Sequence, residues 1–200
     1  HSFFPGDGAA SFLQDHVDYA LPGSALATGW TDGVARREVE RLFAFRHRRT
    51  RDDLARHAAY RERPRLRVAI TGASGFIGEA LTAFLTAGGH EVVRLTRRRD
   101  AGLGWVHWDP AGGTVDTAAL EDVDAVVHLA GASIAGLWTA RRRREILASR
   151  RQGTELIARA AAGLARPPRA IVSASGVGFY GSRGAERLTE ESATGDGFLA

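Results

Sequence analysis

The chain is 200 residues long, 44% apolar and 25% charged, with a formal net charge of +4; this is the balance of a globular domain, with no apolar run of membrane-spanning length and no signal-peptide pattern at the start of the sequence. The absence of cysteine excludes disulfides, thiol catalysis and thiolate-bound zinc, no metal site is expected, and a reducing, cytoplasmic setting fits. All 27 basic residues other than histidine are arginine, so no lysine-based mechanism can operate, and without methionine His1 is expected to lie inside a longer gene product or to follow processing.

The first 60 or so residues differ in pattern from the rest. Pro5-Gly6-Asp7-Gly8 is a turn signal after Phe3 and Phe4. Leu13, Asp15, Val17, Tyr19 and Leu21 then share one face of a predicted half-buried strand, ended by Pro22-Gly23. Val39, Leu42 and Phe43 carry helical spacing among Arg37, Arg41, Arg48 and Arg49. Thr50 followed by Asp53 predicts an N-cap opening a second helical segment through Leu54 and Ala58. One hairpin and a helix cannot close a core, so residues 1–61 read as the tail of an α+β domain or as an N-terminal extension packed on the main domain. The stretches DHVDYALPGS and RREVERLFAFRHRRTRDDLARH resemble the C-terminal end of the polyketide-cyclase/START-like helix-grip family. That resemblance implies a last strand leading to a long helix over a curved sheet that encloses an apolar cavity. Residues 62–65 form the linker, where Pro64 stops the helix.

Residues 66–200 read as a βαβ series. Strands are predicted at 66–71, 91–95, 105–108, 124–129 and 169–173. Helices are predicted from Phe76 to Ala87, ended by Gly88-Gly89, and from Thr139 to Leu164, ended by Pro167-Pro168. Apolar strands alternating with helices imply an α/β, Rossmann-type, doubly wound parallel sheet covered on both faces. After Ser175 only loop-like residues remain, so the domain is expected to be incomplete at its C-terminal end. The runs Arg97-Arg98-Arg99 and Arg141-Arg142-Arg143-Arg144 carry no nucleic-acid reading motif and are read as solvated faces, with a small molecule as the partner. Oligomeric state is left open.

The chemistry concentrates in Thr71-Gly72-Ala73-Ser74-Gly75-Phe76-Ile77-Gly78, between a predicted strand and a predicted helix. Gly72 permits the tight turn, Gly75 lets backbone approach a pyrophosphate, and Gly78 lets the helix pack closely. The free amides and dipole of the helix start would then hold the phosphates. Ala73, Ser74, Phe76 and Ile77 belong to the same cradle. Cofactor choice is read at the end of the second strand, roughly 20 residues past the glycines. An acidic residue there would suit NAD; this chain has Thr96-Arg97-Arg98, whose guanidinium groups favour the 2′-phosphate of NADP. A merely solvated arginine loop is the other reading of the same residues.

The glycine spacing, DAVVHLAGASI, SRRQGTELI and VSASGVGFYG together resemble the extended short-chain dehydrogenase/reductases, closest to their sugar-nucleotide epimerase branch within the NAD-dependent epimerase/dehydratase family. The resemblance covers residues 66–200. It implies that Asp109 sits near the adenine, that Leu129-Ala130-Gly131 lines the cofactor, and that Ser173 and Ser175 end a strand where a serine bonds the substrate oxygen, Ser175 matching best. The family's Tyr-x-x-x-Lys pair has no counterpart: residues 197–200 read Gly-Phe-Leu-Ala, and Tyr180 lies only five positions past Ser175. Tyr180 is therefore expected to shape the pocket more than to act as a base. Glu190, Glu191 and Asp196 could serve as acid/base groups or form a solvated acidic loop. Two functions stay open: an NADP-dependent oxidoreductase or epimerase acting on a hydroxyl or keto group such as that of a nucleotide sugar, and a non-catalytic NADP-binding module coupled to a ligand-binding domain.

Overall fold

Pro5-Gly6-Asp7-Gly8 turns the chain as its residue types dictate. Strand β1 (Ser2–Pro5) pairs antiparallel with β2 (Ser11–Gln14), placing Phe3 opposite Leu13 and Phe4 opposite Phe12. The computed structural model describes residues 2–8, 11–18 and 29–200, in two units, His1–Tyr60 and Arg61–Ala200.

The predicted strand through Leu21 is shorter than expected: strand pairing ends at Gln14, Asp15 to Asp18 belong to no strand, and Tyr19 and Leu21 lie outside the described residues. The predicted break at Thr50 is absent. Helix α1 runs unbroken from Gly29 to Ala59. No proline or glycine interrupts residues 34–59, and Asp53 does not cap a new helix. Its carboxylate instead accepts from Arg49 Nε at 3.1 Å, one turn back, which supports continuation. Arg46 donates to Asp15 at 2.6 Å, tying the hairpin's exit to α1. No described side chain of α1 is fully buried, and Leu42, Phe45 and Leu54 are exposed.

In the second unit, β3 (Arg67–Thr71), β4 (Glu91–Thr96), β5 (Trp105–Asp109), β7 (Ala125–His128) and β8 (Ala170–Ser173) form a parallel sheet. A short β6 (Thr114–Val115) adds to it antiparallel, as an edge that sequence patterning misses. The strand order is β6-β5-β4-β3-β7-β8. The chain thus winds outward from β3 in one direction, then crosses over to β7 and winds in the other, which is the doubly wound Rossmann topology with its switch point between β3 and β7.

Both sheet faces are built from alternate residues of the same strands. Helix α3 (Ala140–Ala162) covers one face, with Leu156, Ile157 and Ala160 against Ala69, Val93, Leu95, Val126 and Trp108. Helix α2 (Phe76–Ala87) covers the other, with Leu81 and Leu85 against Val68, Ile70, Val92 and Val127. The expectation of full cover on both faces fails at β8, where Ile171 and Val172 are 45% and 57% exposed. It also fails over β4 and β5, whose connection, residues 97–104, contains no helix. There Arg94 stacks over Trp105 at 4.5 Å and takes the helix's place. The N-terminal strand ends are pinned by Asp124, which accepts from the Arg67 amide at 2.8 Å.

Candidate nucleotide-binding site

All parallel strands end at one edge, so β3, β4, β7 and β8 deliver the glycine loop, Thr96-Arg97-Arg98, Leu129-Ala130-Gly131 and Ser173-Ala174-Ser175 to the same side. The crevice lies at the switch point, where the chain leaves β3 and β7 on opposite faces.

The glycines are required by contact. Gly72 has φ +71°, and a Cβ on it would stand 2.9 Å from both the Ala130 nitrogen and the Leu129 carbonyl carbon. A Cβ on Gly78 would stand 2.2 Å from Gly72 O, so α2 packs directly on the turn that precedes it. Gly75 is the N-cap of α2, its amide donating to Gly72 O at 3.0 Å. The next amides, Phe76 to Gly78, have no partner within the helix and stand at the positive end of its dipole. Phe76 and Ile77 are 95% and 63% exposed, Ser74 is exposed, and Ala73 is buried. The result is a cradle of backbone with no side chain over it, and these residues fit a dinucleotide pyrophosphate.

At the end of β4, Thr96 Oγ1 accepts from the Arg98 amide at 3.2 Å, which turns the chain outward. Arg97 and Arg98 are both exposed. Among the described residues Arg98 pairs only with exposed Asp100 at 3.5 Å, a weak hold, and Arg97 makes no ion pair. Asp109, expected near the adenine, uses one carboxylate oxygen on the amides of Ala111 and Gly112, both at 3.1 Å, and so folds the turn into β6.

Two buried polar residues that sequence reasoning misses organise this edge. Thr71 and His128 are 0% and 3% exposed. Thr71 Oγ1 accepts from the amides of Leu129 and Ala130, each at 3.2 Å. With both acceptor positions used, its proton goes to His128 Nδ1 at 2.7 Å, which places the imidazole hydrogen on Nε2. Burial lowers the His128 pKa below the ordinary 6.5, so the ring is neutral. Trp108 meets the ring edge-on at 6.0 Å, and Gly153 leaves room for it, since a Cβ there would sit 3.3 Å from His128 Cε1. The signal in the sequence is a threonine and a histidine closing the apolar runs Val68-Ala69-Ile70 and Ala125-Val126-Val127. Ser149 and Arg150 of α3 brace the loop beyond: Ala132 N donates to Ser149 Oγ at 3.0 Å, and Arg150 donates to Ala132 O at 3.1 Å.

Ser175 is exposed past the end of β8. Tyr180 closes a 3-10 turn, Val177–Tyr180, with its ring edge-on to Phe179 at 5.2 Å. Among the described residues its hydroxyl has no hydrogen-bond partner and no cation stands over its ring. The carbonyls of Phe179 and Tyr180 hold the last residues of the chain and Arg183: Gly195 N donates to Phe179 O at 2.9 Å, and Arg183 Nε to Tyr180 O at 3.3 Å. Glu190, Glu191 and Asp196 are all exposed. No group of three or more His, Asp or Glu among the described residues could hold a metal, and no described helix is long and apolar enough to cross a membrane.

Residues 68–197 match the NAD dependent epimerase/dehydratase family. An epimerase family protein of Mycobacterium bovis is 43% identical over 136 residues, 66% of this chain and 44% of that protein. A crystal structure described as the nucleoside-diphosphate sugar epimerase of Corynebacterium glutamicum superposes with a TM-score of 0.72 at 36% identity, covering 98% of this chain and 39% of that one. The structure of human epimerase family protein SDR39U1 (isoform 2), solved with NADPH, gives a TM-score of 0.57 at 36% identity, covering 67% of this chain and 45% of that one. The chain thus spans less than half the length of these relatives. A glycine cradle at the switch point of a doubly wound sheet, together with a family match over residues 68–197, more than half of the chain, makes this chain a member of the NAD dependent epimerase/dehydratase family.

Proposed function

We propose that residues 66–200 bind NADP in the crevice between the glycine loop and Leu129-Ala130-Gly131, as part of an oxidoreductase or epimerase acting on a hydroxyl or keto group, such as that of a nucleotide sugar. The single observation that carries the reading is the backbone cradle: Gly72 and Gly78 are each packed too closely for a side chain, and the unpartnered amides of α2 open beside them. Support for NADP over NAD comes from Arg97 and Arg98, exposed at the end of β4 where a 2′-phosphate would lie, and from the human relative solved with NADPH.

When bound, the nicotinamide supplies hydride transfer. The chain's part is to hold the dinucleotide by backbone amides and arginine, and to orient a substrate oxygen at Ser175. Tyr180 shapes the same edge. Residues 1–61 form the closing strand and helix of a helix-grip domain in this proposal. Exposed Leu42 and Phe45, one turn apart on α1, support it as an apolar patch that a partner layer would cover. The cysteine-free composition fits work in the cytoplasm.

A second reading, a non-catalytic NADP-binding module, is favoured by the Tyr180 hydroxyl, which has no hydrogen-bond partner among the described residues. Calorimetric titration of the chain with NADPH and with NADH tests the shared premise. Saturable binding with NADPH tighter is expected, and no binding of either would overturn it. Reduction of NADP at 340 nm, the NADPH absorbance band, with candidate substrates then separates enzyme from module.

A further inference from the structure

We infer that His107 is a specificity-determining residue of the cofactor site, donating an imidazole N–H to the 2′-phosphate of NADP beside the end of β4. The inference rests on the proposed NADP site and adds a donor that lies in the sheet, outside the glycine loop and the arginines.

Side chains alternate along β4 and β5. Val93, Leu95, Val106 and Trp108 belong to the core under α3. Arg94 and Thr96, with Trp105, His107 and Asp109, therefore fall on the opposite face, where residues 97–104 supply no helix. The stacking of Arg94 on Trp105 at 4.5 Å shows that these two share it. The register carries the same relation to the end of the strand: Arg94 is opposite Trp105, and Thr96, the last residue of β4, is opposite His107. Neighbouring strands stand about 4.8 Å apart. The His107 side chain thus leaves the sheet beside Thr96, on the same face, where the chain turns out to Arg97 and Arg98.

His107 is half-buried, and among the described residues it makes no hydrogen bond, ion pair or ring contact. The groups around it are committed elsewhere. Arg94 is held over Trp105 and donates to Gly104 O at 3.3 Å. Thr96 Oγ1 accepts from the Arg98 amide. Asp109 accepts from the amides of Ala111 and Gly112, and Asp116 from that of Ala119 at 3.2 Å. A half-buried ring with an unmatched N–H favours an acceptor supplied from outside.

The surroundings select an anion as that acceptor. Arg94, Arg97 and Arg98 bring three cations to this part of the sheet, and among the described residues the one carboxylate that meets any of them is Asp100, 3.5 Å from Arg98. A 2′-phosphate offers several charged acceptor oxygens where NAD has a single hydroxyl, and charge-assisted bonds are the stronger ones. In either tautomer the imidazole keeps an N–H to donate. Arg97 and Arg98 are exposed beyond the strand and supply charge; His107 is fixed within a strand and supplies direction.

The test is fluorescence titration with NADPH and with NADH of wild type, His107→Phe, His107→Gln and the double variant Arg97→Ala plus Arg98→Ala, with melting temperatures as the check on folding. His107→Phe keeps a ring on the strand and removes both nitrogens. Its NADPH affinity should fall about tenfold while its NADH affinity stays within about twofold of wild type. His107→Gln can still donate and should lose no more than about threefold for NADPH. If His107→Phe does not fold, His107→Val, well suited to a strand, takes its place with the same expected loss. Equal losses for NADPH and NADH would overturn the inference, because His107 would then serve the adenine or the fold. A preference for NADPH that survives in His107→Phe but disappears in the arginine variant overturns it too, and leaves the NADP reading standing. Wild type that binds NADPH no tighter than NADH overturns that reading and the inference together.

Discussion

Thr71 gives its hydroxyl proton to His128 Nδ1 at the point where β3 and β7 part, and both residues are shut off from water. A histidine kept neutral in this way makes stability depend on pH. Burial lowers its pKa in the folded chain below the ordinary 6.5, so the unfolded chain takes up a proton that the folded chain refuses. The contribution is complete above pH 6.5 and is lost as pH falls from there toward the folded-state value. Thermal unfolding at pH 8 and pH 5 should show a larger fall in melting temperature for wild type than for His128→Asn. Equal falls would show that His128 does not carry the dependence.

Cofactor choice should track the two arginines after β4. Replacing Arg97 and Arg98 together by alanine removes charged contacts to a 2′-phosphate, each worth about 1.5–3 kcal/mol. Calorimetry should show NADP affinity falling by at least about tenfold while NAD affinity hardly changes. Parallel losses for both would locate the 2′-phosphate elsewhere.

The glycines of the loop should separate by mechanism. A Cβ on Gly78 meets Gly72 O at 2.2 Å, backbone against backbone, whereas on Gly75 it meets the same atom at 3.2 Å. Gly78→Ala should therefore lower unfolding stability by about 1–3 kcal/mol in urea. Gly75→Val should leave the fold largely intact and abolish dinucleotide binding by filling the cradle. A Gly75→Val variant that binds NADPH normally would misplace the phosphate loop.

These 200 residues alone are expected not to turn over a nucleotide sugar or a ketone. The Tyr180 hydroxyl has no cationic or hydrogen-bonding partner among the described residues, and no lysine exists to supply one. A phenol without such a neighbour is a poor base at neutral pH. Monitoring NADPH against a panel of substrates should show no sustained turnover. Robust turnover that Tyr180→Phe removes would give Tyr180 the role of base after all.

The fold of the second unit was legible because β3, β7 and β8 are apolar runs and the helix ends are marked. Gly88-Gly89 comes directly after α2, which ends at Ala87, and Thr139 caps α3 by accepting from the Arg142 amide at 3.2 Å. Edges were less legible. β6 is two residues long and gains its place from the turn at Pro110-Ala111-Gly112-Gly113, held by Asp109, rather than from its own pattern. The break expected at Thr50 reflects a local capping preference that Arg49 and the continuing helix override. In the site, the glycine cradle could be read from spacing because its requirement is steric and local. The Thr71–His128 contact could not, because it joins residues 57 positions apart, and each alone looks like an ordinary polar end to a buried strand.

Strand β8 closes the sheet order with all three of its apolar side chains and one row of its backbone groups uncovered among the described residues. Such a margin is a template for extended chain: any strand offered in parallel or antiparallel register can dock there through main-chain bonds. Concentration-dependent association of the isolated chain is therefore expected to run through Ala170–Ser173. A charged residue at Val172, which is 57% exposed, would act as a gatekeeper against that association without touching the glycine cradle.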